Sequence, residues 1–172
     1  MKVIKAKTAG FCFGVKRAVD TVYKQVDTKC GQIYTYGPII HNEEVIKDMR
    51  DKGVIVLRSE EDLDMISQGT VIIRSHGVEK RIYEKIEQKG LRIVDATCPF
   101  VKKIHNIVSE KSGEGFHIII IGNPEHPEVV GIKGWAKDNV TVIQSAEDAE
   151  CFTADRKEKI CIVSQTTFNL SL

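Results

Sequence analysis

Short runs of β-branched and aliphatic residues recur along the chain, separated by segments in which apolar positions return every three or four residues. Val54 to Leu57, Val71 to Arg74, Ile93 to Ala96, His117 to Ile121, Val140 to Ile143 and Ile160 to Ser164 are such runs, and each predicts a strand. Most are apolar at consecutive positions, as expected of strands buried on both faces and therefore parallel. Between them, Asn42 to Lys52, Glu79 to Lys89 and Val101 to Ser112 carry helical spacing. Lys52-Gly53 and Lys89-Gly90 put a basic residue and then a glycine where a helix should stop, because glycine tolerates the left-handed conformation that closes a last turn. The pattern predicts an α/β fold of repeated βα units.

Two stretches also align with each other. From Gly37 the first runs through Pro38, His41, Glu44-Val45, Val54 to Leu57 and Ser59-Glu60-Glu61-Asp62 to Val71 to Ser75. From Gly122 the second runs through Pro124, His126, Glu128-Val129, Val140 to Ile143 and Ser145-Ala146-Glu147-Asp148 to Ile160 to Ser164. This spacing predicts a duplicated small parallel-sheet domain, divided as 1–97 and 98–172. The first copy continues from Ser75 through a helix and a strand to Cys98, whereas the second stops soon after Ser164, so the second is expected to be incomplete.

Composition narrows the function. Twenty-five basic and 24 acidic side chains leave a net charge of +1, so no long-range field recruits nucleic acid or an anionic membrane. No apolar stretch approaches the ~20 residues of a membrane span and the first residues lack a signal-peptide core, which predicts a cytoplasmic protein. The five cysteines are odd in number and not closely paired, which fits reduced thiols or metal ligands better than disulfides.

Candidate chemistry gathers where strands end. His41, His76, Cys98, His126 and Glu128 all lie just beyond apolar runs, at the carboxyl edge where open α/β sheets hold ligands. Cys12, within Gly10-Phe11-Cys12-Phe13-Gly14, enters a helix where amide dipoles favour a thiolate. Imidazole N–H groups beside helix N-termini suit a phosphate, so His41, His76 and His126 form the predicted anion site, with helix capping as the competing reading. His105 and His117 are expected to be ordinary surface or satisfied core residues. Glu128 either favours the N-terminus of its helix or delivers a proton. Cys12 and Cys98 match no zinc spacing, so a zinc site is the weaker alternative to an iron-sulfur cluster. Cys161, inside a strand, is expected to be a packed small hydrophobe, and Cys30 and Cys151 are expected to be incidental.

Gly10-Phe11-Cys12, His41-Asn42, Ser75-His76-Gly77, Asp95-Ala96-Thr97-Cys98-Pro99, His126-Pro127-Glu128-Val129 and Ser164-Gln165-Thr166-Thr167, in that order, closely resemble the 4-hydroxy-3-methylbut-2-enyl diphosphate reductase family. The resemblance implies the last step of the non-mevalonate isoprenoid pathway, a reductive dehydroxylation of an allylic diphosphate. It implies a 4Fe-4S cluster held by three cysteines, of which Cys12 and Cys98 would be two, and an electron donor such as ferredoxin or flavodoxin. His41, His76 and His126 would grip the diphosphate, Glu128 would donate a proton, and Thr166 would complete the relay, with Thr167 the lesser of that pair. The family's third domain, with its third cluster cysteine and its serine and asparagine diphosphate ligands, has no counterpart here. The chain therefore resembles two of three pseudo-equivalent domains, an amino-terminal fragment inactive by itself. A non-redox α/β module that binds a phosphorylated metabolite is the alternative function.

Overall fold

In the computed structural model, which describes residues 2–28, 31–155 and 157–168, the strands pair into two wholly parallel sheets. The first sheet comprises β1 (Ile33–Tyr36), β2 (Ile55–Leu57), β3 (Thr70–Ile73) and β4 (Arg92–Asp95), in the order β2-β1-β3-β4. The second comprises β5 (His117–Ile121), β6 (Val140–Ile143) and β7 (Ile160–Ser164), in the order β6-β5-β7. Helices α1 (Phe13–Thr28), α2 (Glu43–Asp51), α3 (Glu60–Asp64), α4 (Lys80–Gln88), α5 (Pro99–Gly113), α6 (Pro127–Lys133) and α7 (Ala146–Cys151) make the connections. All six predicted strands are present. The seventh, β1, was not predicted, although it is the strand against which β2 and β3 both pair. Its Ile-Tyr-Thr-Tyr run has a single aliphatic residue, and its burial alternates.

Burial on both faces is not general. Only β3 is buried at every position, and β5 at its three middle ones. The outer strands are partly exposed, with Ile162 of β7 64% accessible. The strands are parallel because helical crossovers return the chain to the same edge, which demands nothing of their outer faces.

Alternation along the strands divides the first core. Ile72 faces one layer with Ala18, Val22, Ile33, Met49 and Val54, while Val71 and Ile73 face another with Leu63, Ile82, Ile86 and Leu91. The second sheet packs Ile118 and Ile120 against Val108, Val129 and Ile132 of α5 and α6. A fully buried Ile or Leu of this kind contributes roughly 1.5–3 kcal/mol.

The duplication is visible in its hydrogen bonds. Gly37 N–H donates to Leu57 O (2.7 Å) and Gly122 N–H to Ile143 O (3.0 Å). Ser59 Oγ accepts from Asp62 N–H (3.3 Å) as Ser145 Oγ does from Asp148 N–H (3.2 Å). The acid in each pair accepts in return from the backbone ahead of its helix, Arg58 N–H in one copy and Gln144 N–H in the other. In each sheet the chain leaves the middle strand for one side and then crosses to the other. In the first sheet the loops after β1 and β3 therefore part in opposite directions and leave a crevice at the carboxyl ends, while in the second the loop after β5 is tied to the residues that follow β7.

A seam joins the two sheets. Trp135, just past α6, donates from Nε1 to Val78 O (2.9 Å). Its indole is stacked on the His105 ring of α5 (centroids 5.1 Å apart, 19° between planes) and meets Tyr83 of α4 edge-on (5.7 Å). Gly77 closes against the same histidine: it has φ +71°, and a Cβ there would stand 2.5 Å from His105 Cε1. Glycine is required at that point on both counts.

Candidate functional site

The three predicted histidines gather at the carboxyl ends of the two sheets. His41 follows β1 and precedes Asn42, the N-cap of α2, whose Oδ1 accepts from Val45 N–H (3.0 Å). His76 lies in a turn after β3 in which Ser75 Oγ–H donates to Ile39 O (3.0 Å), tying that turn to the β1 loop. His126 is itself the N-cap of α6, and its Nδ1 accepts from Glu128 N–H (3.1 Å). A neutral His126 ring therefore carries its proton on Nε2 as a free donor. The rings stand in a row, His41 to His76 with centroids 5.0 Å apart and His76 to His126 with centroids 5.6 Å apart. The row crosses from the first sheet to the second. His76 is pushed down to about 4, mainly by burial and then by the neighbouring His41, Arg74 and His126 charges. At neutral pH its ring is uncharged, and an anion bound among the three rings would reverse that balance.

Glu128 is 1% accessible. Its Oε1 accepts from Thr166 N–H (2.7 Å) and its Oε2 from Thr166 Oγ–H (2.9 Å). Thr166 is exposed beyond β7, so its hydroxyl stands between a buried acid and the surface. Thr167 takes another course: its Oγ1 accepts from Gln165 Nε2–H (2.8 Å).

Gln165, 7% accessible, also accepts on Oε1 from Asn123 N–H (3.2 Å) and so ties the β5 loop to the residues after β7. Sequence reasoning passed over it, although the repeat aligns Ser75 with Ser164 and hence His76 with Gln165. Arg74 was missed as well; its Nε–H donates to Gly77 O (3.3 Å) beneath the His76 turn.

The two thiols belong to neighbouring helix starts. Cys12 immediately precedes α1 and is exposed, and the half-buried Cys98 is the N-cap of α5. A Cβ on Gly14 would lie 2.6 Å from Cys98 Sγ, so that sulfur rests on the first turn of α1. Cys98 N–H donates to Ser75 O (2.9 Å), one residue from His76. Helix N-termini favour negative charge, and two thiols so placed fit two ligand positions of a thiolate-held cluster. Among the described residues, no three His, Cys, Asp or Glu side chains form a group able to hold a metal.

The remaining titratable groups divide. His117 is satisfied, with Nδ1 2.8 Å from Glu158 Oε1 and Nε2 2.8 Å from Thr141 Oγ1. His105 is core but not satisfied. It is 1% accessible, its Nε2 has no hydrogen-bond partner among the described residues, and burial pushes it down to about 4. Cys161 packs in the second core and Cys151 is exposed at the end of α7. Cys30 lies outside the described residues. No helix among the described residues is long and apolar enough to cross a membrane.

Known proteins resemble this chain in sequence and in fold. The LytB protein family matches residues 3–171. The 4-hydroxy-3-methylbut-2-enyl diphosphate reductase of Caldanaerobacter subterraneus subsp. tengcongensis is 48% identical over 168 residues, 97% of this chain and 58% of that protein. The solved E-1-hydroxy-2-methyl-but-2-enyl-4-diphosphate reductase of Plasmodium falciparum superposes with a TM-score of 0.89 at 32% identity, covering 96% of this chain and 51% of its own. A solved (E)-4-hydroxy-3-methyl-but-2-enyl diphosphate reductase, described as the terminal enzyme of the non-mevalonate pathway, gives 0.81 at 38% identity over 98% and 59%. The chain thus spans a little over half the length of these three relatives.

Proposed function

Since the chain belongs to the LytB protein family, we propose that its whole protein reduces (E)-4-hydroxy-3-methylbut-2-enyl diphosphate to isopentenyl and dimethylallyl diphosphates in the cytoplasm. Two electrons and two protons enter, the allylic C–O bond breaks, a C–H bond forms and water leaves. The observation that carries this reading is the histidine row across the two sheets, with the buried Glu128–Thr166 pair next to His126 and the Cys98 turn bonded to Ser75 O next to His76.

His41, His76 and His126 bind the diphosphate, each offering a ring donor to a highly charged ligand. Glu128, once protonated, passes that proton through the Thr166 hydroxyl to the substrate oxygen, so that it departs as water rather than hydroxide. Thr167, engaged with Gln165, assists binding at most. Cys12 and Cys98 would hold part of a 4Fe-4S cluster, which would supply electrons and Lewis acidity to the reaction. Its electrons come from a small carrier such as ferredoxin or flavodoxin.

Anaerobic reconstitution of the whole protein, followed by a reductant and the allylic diphosphate, tests the reading. Brown protein and two isoprenyl diphosphate products are expected. Colourless protein that still binds inorganic diphosphate would replace it with a non-redox binding module.

A further inference from the structure

Cys12 and Cys98 are 86 residues apart in sequence, and α1 meets the Cys98 turn through one polar side chain. Arg17, on the second turn of α1, donates from Nη1 to Thr97 O (2.8 Å) and from Nη2 to Asp95 O (3.4 Å). Those carbonyls belong to a turn fixed at each residue. Ala96 N–H donates to Ile73 O (3.1 Å), Thr97 N–H to Asp95 Oδ1 (3.0 Å) and Cys98 N–H to Ser75 O (2.9 Å). Thr97 Oγ1 is 3.2 Å from the Tyr83 hydroxyl. Burial raises the Asp95 carboxyl, but its hydrogen bonds with Lys102 and Thr97 together outweigh that and hold it below its usual range. Gly14 supplies the apolar half of the contact, since a methyl there would fall 2.6 Å from Cys98 Sγ and 3.1 Å from its Cβ. A single torsion, χ1, places a cysteine sulfur on a fixed backbone, so Cys98 Sγ cannot leave that contact without changing rotamer.

We propose that Arg17 and Gly14 are positioning residues which set the spacing of the Cys12 and Cys98 thiols, Arg17 by clamping the two carbonyls ahead of Cys98 and Gly14 by admitting its sulfur to the first turn of α1. This rests on the reading that both thiols serve one site. Arg suits the task because its planar fork reaches two carbonyls at once, which the single ammonium of lysine does not do in a fixed geometry. Groups that orient ligands from behind are typically worth about 10–100-fold in affinity.

The test uses dibromobimane, which becomes fluorescent only after both its arms have alkylated thiols, on a chain carrying Cys30→Ser, Cys151→Ser and Cys161→Ala. Arg17→Gln should slow the fluorescent cross-link about tenfold at a temperature where circular dichroism shows the fold intact, and Arg17→Lys should recover part of it. Alkylation by a one-armed reagent should stay unchanged, which separates spacing from exposure. Gly14→Ala should act in the same direction, and if it does not fold, Arg17→Gln decides alone. A folded Arg17→Gln chain that cross-links at the parent rate would overturn the proposal and leave the paired-thiol reading standing. A parent chain that does not cross-link at all would remove both. In the whole protein, iron and sulfide bound per chain after reconstitution should fall in parallel.

Discussion

Glu44 and Glu128 hold corresponding places in the two copies, each in the first turn of a helix after a middle strand, yet their surroundings differ. Glu44 is exposed, as a helix-favouring acid should be. Glu128 is buried, and both of its oxygens accept from Thr166. In the whole protein Glu128→Gln should keep the cluster and bind substrate but lose about 10²- to 10⁴-fold in turnover, the usual worth of a general acid. Were Glu128 only a helix-terminal charge, the loss would be at most about 1 kcal/mol of stability, so anaerobic rates measured beside the thermal midpoint separate the cases. A second expectation concerns His76. Its ring is pushed down to about 4 without ligand, and a bound anion favours the charged form, so inorganic diphosphate should take up protons on binding near pH 6. Calorimetry in two buffers of different ionisation enthalpy should show that uptake, and His76→Asn should diminish it. The places of His41, His76, His126, Cys98 and Glu128 beyond strand ends were legible in the sequence because apolar runs mark those ends, and that of Cys12 because glycines flank a helix start. Arg17 and Gln165 were not, because their value lies in carbonyls and loops far away in sequence.

At the scale of elements, the repeat and the punctuating residues carried the prediction. Gly53 and Gly90 close α2 and α4 at positive φ (87° and 68°), as their sequence positions implied. The middle strand β1 escaped because its alternation of Tyr with Ile and Thr lacks a continuous apolar run. Its counterpart β5, His-Ile-Ile-Ile-Ile, was unmistakable, and alignment of the copies one strand further back would have exposed β1. The copies also differ at their helix starts, where α2 is capped by Asn42, one residue after His41, and α6 by His126 itself. Asn42→Ala should therefore cost about 1 kcal/mol in urea unfolding. It should also weaken diphosphate binding, because the loop that presents His41 enters the helix through that cap. Unchanged affinity with the full stability loss would confine Asn42 to capping.

For the molecule as a whole, the seam determines how the site is assembled. The sequence announced two copies but not how they meet, because Trp135, His105 and Gly77 come from three separate segments. Trp135→Phe keeps an aromatic ring between Tyr83 and His105 but removes the bond to Val78 O. It should cost about 1 kcal/mol and lower diphosphate affinity, since Val78 follows the His76 turn and α6 begins at His126. Acid should act on the same region. His76 and His105 are both pushed down to about 4 from an ordinary 6.5, so between those values the unfolded chain binds more protons than the folded one, and stability falls as pH drops from 6.5 towards 4. Thermal midpoints at pH 7 and pH 4.5 measure this, and His105→Phe should flatten the decline. The outer strand β7 has a further consequence for the material in solution. It is an unpaired edge of its sheet among the described residues, and Ile160 and Ile162 lie 36% and 64% open along it. A row of free backbone donors and acceptors flanked by aliphatic side chains is a template for accretion between molecules. Concentrated preparations of this chain should scatter light increasingly with time and ionic strength, and Ile162→Lys should keep them clear.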